Sequence, residues 1–174
     1  MIMSIQICPL SPSDRQSILP DLFAILYENM NPIDEWDEPY EVAREGWCAT
    51  IAKALDDPRR RLLVLYDGET IAGFFMYAVN RETGLFLMEE IQFRPHYQGV
   101  GLFHRLYDEV LPSLPPEIAV VEAYAHKKNL KSQGILTHFG LTAIGENKNG
   151  SCLHSRGDLR EFSKRMNIEK TDRA

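Results

Sequence analysis

No stretch of this 174-residue chain is apolar enough to cross a bilayer. Its longest apolar run, residues 71–79, falls far short of the roughly 18 residues that a spanning helix needs. Cysteine is scarce: Cys8, Cys48 and Cys152 are odd in number, widely scattered, and form no CxxC pair. That argues against a disulfide framework and against thiolate metal sites, and it suits reduced thiols in a cytoplasmic protein. Positive charge is in deficit, with 19 Lys and Arg against 25 Asp and Glu, a net charge of −6. A nucleic-acid binder would show a basic face, so no nucleic acid is expected. The opening residues MIMSIQICPL lack the basic segment and the small-residue cleavage site of a signal peptide. Internal repeats, low-complexity segments, linkers and clustered metal ligands are absent too, so neither a membrane nor a metal partner is expected.

What remains is ordinary soluble-protein material, 44% hydrophobic and 25% charged. The length suits one domain with a sizeable core. Residues 1–166 are expected to form it, and residues 167–174 to be a disordered tail.

The most informative stretch is residues 85–111. Leu85, Leu87, Ile91 and Phe93 recur at the strand period, and Pro95 then ends the strand. Beyond the loop, Leu102, Phe103, Leu106, Val110 and Leu111 recur on one helical face, with His104, Arg105, Asp108 and Glu109 opposite. Between them lies Gln98-Gly99-Val100-Gly101. Glycines let main-chain N–H groups approach a ligand, and a helix's first turn points further free N–H groups at the same place. The residues alone leave two readings open, a tight turn or a phosphate cradle.

Around this stretch the pattern predicts a first strand at residues 4–10 and a helix begun by Ser11-Pro12-Ser13-Asp14. Pro20 either kinks that helix or begins its main part. A second helix starts near Pro39 and carries Ala43, Trp47, Ile51 and Leu55. Residues 61–66 and 70–79 read as a hairpin around Asp67-Gly68, and a further turn leads into the central strand. A strand at residues 118–124 should pair in parallel with the central one, because the intervening helix is too long for a hairpin. Asn129 can cap a helix with Leu130, Ile135, Leu136 and Phe139 inward and Gly140 as its stop. A last hairpin around Asn149-Gly150 and a short helix bearing Leu159, Phe162 and Met166 close the chain.

The run Arg94-Pro95-His96-Tyr97-Gln98-Gly99-Val100-Gly101-Leu102 resembles the acetyl-coenzyme A signature of the GNAT acetyltransferase superfamily. That signature is Arg or Gln, two residues, Gly, one residue, then Gly or Ala. Gln98 and Gly101 fit, whereas Phe103 stands where the small residue belongs. Residues 63–75, LVLYDGETIAGFF, look like the strand pair that precedes the cofactor strand in this family. Asn129 with Gly140 resembles its second coenzyme A segment, although Leu136 replaces the usual Tyr and Leu141 the usual Phe. The order β-α-α-β-β-β-α-β-α-β-β extends the likeness over nearly the whole chain. The resemblance implies an α/β (α+β) fold with a mixed, mostly antiparallel sheet of about six or seven strands, flanked by helices on both faces. It also implies acetyl-CoA as co-substrate, without a metal. Cofactor contacts would fall on Ile91, Gln92 and Phe93 of the strand, on Gln98, Gly99, Val100, Gly101, Leu102 and Phe103, and on Asn129.

Acetyl transfer to an amine needs a base, since an alkyl ammonium with a pKa near ~10.4 is almost wholly protonated at neutral pH. Glu89 and Glu90 are adjacent acids in an otherwise apolar strand and point to opposite faces, so one of them can serve. Solvated or salt-bridged strand residues are the plainer reading of the pair. With Leu136 at the Tyr position, a substitute proton donor is sought in Tyr124 or His126. Residues 28–41 hold six acids, no base, and the aromatics Trp36 and Tyr40. A solvated acidic loop explains such a run, and so does a site for a cationic amine near Trp36, Asp37, Glu38 and Tyr40. That acceptor is a small-molecule or protein amine, and the sequence is compatible with a homodimer without fixing the oligomeric state. The leading reading is an acetyl-CoA-dependent N-acetyltransferase working by direct attack in a ternary complex. Phe103 and Leu136 keep alive a non-catalytic acyl-CoA-binding or interaction module on the same scaffold, and an unrelated nucleotide-binding α/β domain is a third.

Overall fold

Residues 4–173 are described by a computed structural model. Seven strands form a mostly antiparallel sheet in the order β1-β2-β3-β4-β5-β7-β6, accompanied by five α-helices. The strands are β1 (Ile5–Pro9), β2 (Arg60–Asp67), β3 (Thr70–Asn80), β4 (Leu85–Phe93), β5 (Val120–His126), β6 (Thr142–Glu146) and β7 (Cys152–Asp158). The helices are α1 (Arg15–Met30), α2 (Tyr40–Ala54), α3 (Leu102–Ser113), α4 (Leu130–His138) and α5 (Leu159–Arg173). The chain divides into two compact units: one runs to Tyr77 and takes in Glu90–Val100, the other holds Ala78–Glu89 and the chain from Gly101 on.

In the first unit β1 pairs antiparallel with β2. Helix α1 continues past Pro20, which removes one N–H from the first turns without ending the helix. Its apolar stripe of Leu19, Leu22, Phe23, Ile25 and Leu26 is buried against Ala43 and Ile51 of α2 and against Leu62, Val64, Ile71, Phe74 and Met76 of β2 and β3. Burial of side chains this size contributes about 1.5–3 kcal/mol each, and this stripe anchors the unit. Trp36 and Tyr40 join the same cluster. The Trp36 ring stacks on Tyr27 at 5.5 Å, and Tyr40 meets Phe23 at 5.4 Å and Tyr27 at 4.9 Å.

The parallel pairing of β4 with β5 lies in the second unit, in register from Leu85–Val120 to Met88–Ala123. β7 pairs antiparallel with both β5 and β6. Three expectations need correction there. His104 is buried on the inner face of α3 together with Leu102, Leu106, Tyr107 and Val110, because its ring packs edge-on to Phe103 and Phe139. Leu130 is 75% exposed, so α4 is anchored by the buried Phe139 just past its end. Residues 167–173 continue α5 as helix, with Lys170 bonded to Asp108 of α3 at 2.5 Å, so the helix reaches well past residue 166.

At Gly73 of β3 the neighbouring strand leaves no room for a side chain. A Cβ there would collide with the Gln92 carbonyl oxygen and would lie 2.6 Å from the Phe93 ring. Gly73→Ala should therefore lower the unfolding free energy by about 1–3 kcal/mol in urea titration, the range for overpacked cores. Gly46→Ala, in the interior of α2 with open space at its Cβ, should raise it by about 0.8 kcal/mol.

Candidate active site

Side chains of β4 alternate, which sets Phe86, Met88, Glu90 and Gln92 on one face and Glu89, Ile91 and Phe93 on the other. Phe86, Met88 and Gln92 are buried, and Glu90 is partly buried beside them. The Gln92 amide donates from Nε2 to Glu90 Oε1 at 2.7 Å. Burial pushes the Glu90 carboxyl up from its ordinary 4.5 to about 7, against the opposing pull of the Gln92 hydrogen bond. A carboxyl poised there is half ionised near neutral pH, where a general base works best.

A residue that the pattern reading passed over completes this cluster. Asn29, in the last turn of α1, donates from Nδ2 to Gln92 Oε1 at 2.9 Å and to the Phe93 carbonyl at 2.8 Å. The signal was there: Leu22, Ile25, Leu26 and Asn29 follow the i, i+3, i+4, i+7 spacing, which carries Asn29 onto the buried stripe. Gln98 joins from the loop, its Nε2 donating to the Phe93 carbonyl at 3.1 Å and lying 3.4 Å from Asn29 Oδ1.

The edge of β4 also has a defined chemistry. Arg94 N–H donates to Ala72 of β3, and the Gln92 carbonyl faces Gly73. Alternation turns the main-chain groups of Ile91 and Phe93 to the opposite edge. There the Phe93 carbonyl is taken by Asn29 and Gln98, which leaves Ile91 and the Phe93 N–H as the strand groups for an extended ligand.

Beyond Pro95–Tyr97, Gly99 and Gly101 adopt left-handed backbone with φ of +74° and +86°, and nothing lies within 4 Å of a Cβ placed on either. Gly101 caps α3, whose first residue, Leu102, is buried. Gln98, Gly99 and Val100 are exposed. The large residue at position 103 is accommodated sideways: its ring stacks on Phe139 at 5.5 Å and meets Tyr107 at 4.7 Å. In the second unit, Tyr124 is 43% exposed and stacks on the His154 ring at 4.4 Å. His126 accepts from the Lys128 N–H through Nδ1. Asn129 caps α4, its Oδ1 accepting from the Ser132 N–H at 3.1 Å.

The sequence matches the acetyltransferase (GNAT) family over residues 19–141, and the chain belongs to that family. Its fold is similar to that of an acetyltransferase from Thermus thermophilus, with TM-score 0.71, 17% identity, and coverage of 90% of this chain and 98% of that one. The PaiA N-acetyltransferase from Thermoplasma acidophilum, solved in complex with coenzyme A, is similar at TM-score 0.69 and 16% identity, covering 90% and 99%. A variant of the SpeG spermidine N-acetyltransferase from Vibrio cholerae is similar at TM-score 0.61 and 18% identity, covering 91% and 95%. No curated protein matches the sequence.

A raised carboxyl has a predictable effect on stability. On raising the pH the unfolded chain releases the Glu90 proton near 4.5 and the folded chain only near 7, so stability falls across that interval and is level above it. Glu90→Gln should remove this penalty. We expect a gain of up to about 3 kcal/mol at pH 8 and little change at pH 4, measured by denaturant unfolding at both pH values.

Proposed function

We propose that this chain is an acetyl-CoA-dependent N-acetyltransferase that acetylates a primary amine by direct attack in a ternary complex, with Glu90 as the base. The observation that carries the reading is the Glu90 carboxyl itself, raised to about 7 and oriented by Gln92 on the strand that leads into the glycine loop. Acetyl-CoA supplies an activated acyl group.

The open, positive-φ backbone at Gly99 and Gly101, together with the first turn of α3, suits a diphosphate. Gln98, Val100, Leu102 and Phe103 would contribute main-chain N–H groups to it, since the side chains of Gln98 and Phe103 are engaged elsewhere. The Ile91 and Phe93 groups at the strand edge would pair with the amides of the pantetheine arm as an added strand does. Gln92, grouped with them on sequence grounds, serves through its side chain instead. Asn129 completes the cofactor set as the cap of α4. Glu89, on the other face of β4, is left out of the chemistry. Glu90 takes one proton from the ammonium, the amine nitrogen bonds to the acetyl carbon, and as the C–S bond breaks the second proton leaves nitrogen and the thiolate sulfur gains one, so that a neutral amide and free thiol result. The departing thiolate has a pKa near ~8.5 and needs only modest help, for which Tyr124 is our choice of donor.

The exposed acids Glu35, Asp37, Glu38 and Glu41 would draw in a cationic amine. Trp36 and Tyr40 help less than their composition suggests, because they pack on Phe23 and Tyr27. Similarity in fold to spermidine N-acetyltransferases supports a small amine acceptor. Free Cys8, Cys48 and Cys152 support a cytoplasmic setting. Among the described residues no helix is long and apolar enough to cross a membrane.

Acetyl-CoA should raise the thermal midpoint by mass action, and Gly101→Asp should abolish the rise by setting a carboxylate against the diphosphate. Glu90→Gln should keep the rise and lose roughly 10²–10⁴ in the rate of thiol release with an amine panel. Undiminished turnover in Glu90→Gln would place the base elsewhere. Binding without turnover of any amine by the unmodified protein would favour the non-catalytic module.

A further inference from the structure

We infer that Asn29 and Gln92 are positioning residues: a side chain at the end of α1 fixes the direction of the Gln92 amide and so keeps the Glu90 carboxylate presented as a proton acceptor. This rests on the reading of Glu90 as the base.

The network closes atom by atom. Asn29 Nδ2 has two hydrogens, and both are used, one on the Phe93 carbonyl at 2.8 Å and one on Gln92 Oε1 at 2.9 Å. Its Oδ1 lies toward Gln98 Nε2, which assigns the Asn29 amide. The Gln92 oxygen must then face Asn29, and its Nε2 must face Glu90. A flipped Gln92 would set N–H against N–H and carbonyl oxygen against carboxylate, both at hydrogen-bonding distance. Gln92 is 8% exposed, so water does not relieve such contacts. A two-faced side chain thereby becomes a donor of fixed direction, and the direction is set from α1.

The groups around Glu90 leave this donor unopposed. The uncharged Asn29 of α1 meets Gln92 and the Phe93 carbonyl, and the uncharged Gln98 meets that same carbonyl. Of the charged residues nearby in sequence, Glu89 projects from the other face of β4, Glu28 precedes Asn29 on α1, and Arg94 sends its Nε to the Ile71 carbonyl at 2.8 Å. Burial and the Gln92 donor are the two influences on the Glu90 carboxyl.

The test uses the full chain and two readouts. Carboxyl ¹³C NMR follows the Glu90 titration, assigned by the signal that Glu90→Gln removes, and kcat/KM is measured against pH. Gln92→Met keeps the bulk and removes the donor. Its Glu90 titration and the acid limb of kcat/KM should both move up by about one pH unit, a loss of about tenfold below the limb that vanishes at high pH. Asn29→Leu keeps the bulk and removes both N–H donors without adding charge, so nothing holds the Gln92 oxygen toward α1 and its amide can turn. The same two shifts should appear there, and smaller. An unmoved titration in both variants overturns the relay while leaving Glu90 as base. A kcat/KM lowered by one factor at every pH also overturns it, since that is what a merely structural role gives. A titration that moves while the rate profile stays put removes Glu90 as the base, and the positioning role with it.

Discussion

A carboxyl group set on the apolar face of a strand, with one amide to receive it, is the constraint from which the rest of this site follows. Burial alone pushes the Glu90 carboxyl up and favours its protonated form. The hydrogen bond from Gln92 favours the ionised form and holds the balance near neutrality. That bond works only if the amide points one way, and its direction depends on a donor that β4 does not itself supply. Helix α1 supplies it.

The packing of the first unit can be read as the means of delivering Asn29. The stripe from Leu19 to Leu26 fixes the rotation of α1 about its axis, since turning it would expose residues now buried. One turn further on, the same rotation presents Asn29 to Gln92 and to the Phe93 carbonyl. On the other side of β4, the absent side chain at Gly73 lets β3 sit against the Gln92 carbonyl. The strand is thus held at both edges, and the rotamers of Glu90 and Gln92 are set against a backbone with little freedom. A misplacement of about 1 Å can cost a reaction about 10²-fold, and such a backbone limits it.

Much of this was legible in the residues, and the failures have physical causes. The element order, the parallel β4–β5 pairing, the glycine loop and the cap at Asn129 follow from periodicity and turn chemistry, which are local. Period two put Glu89 and Glu90 on opposite faces but could not say which face is covered, because covering is a tertiary fact. Asn29 escaped notice as a polar residue beside an acidic loop, although its spacing from Leu22 places it inward. His104 and Trp36 misled in opposite ways. The one, polar by type, is held by aromatic edges; the other, apt for a cation, spends its ring on Tyr27. Residues 167–173 show no apolar periodicity strong enough to predict a helix, and contacts such as Lys170 with Asp108 lie outside any local pattern.

A second carboxylate in the same chain shows why the relay is built of amides. Glu122 of β5 is also buried, and burial pushes its carboxyl up as it does that of Glu90. Hydrogen bonds from His154 at 2.8 Å and from Arg156 at 2.7 Å outweigh that push and leave it below the ordinary value. A full charge about 4 Å away is worth about 4 kcal/mol at an effective dielectric of about 20, or about three pKa units. The neutral amide of Gln92 lowers the Glu90 carboxyl by less than burial raises it. An arginine at position 92 would therefore hold Glu90 ionised and make it a weaker base, and an alkyl side chain would carry its ionisation to higher pH. Between a charge that overcorrects and a hydrocarbon that does nothing, the amide is the side chain whose effect has the size this site requires, and it can act only when something else decides which of its ends faces the acid.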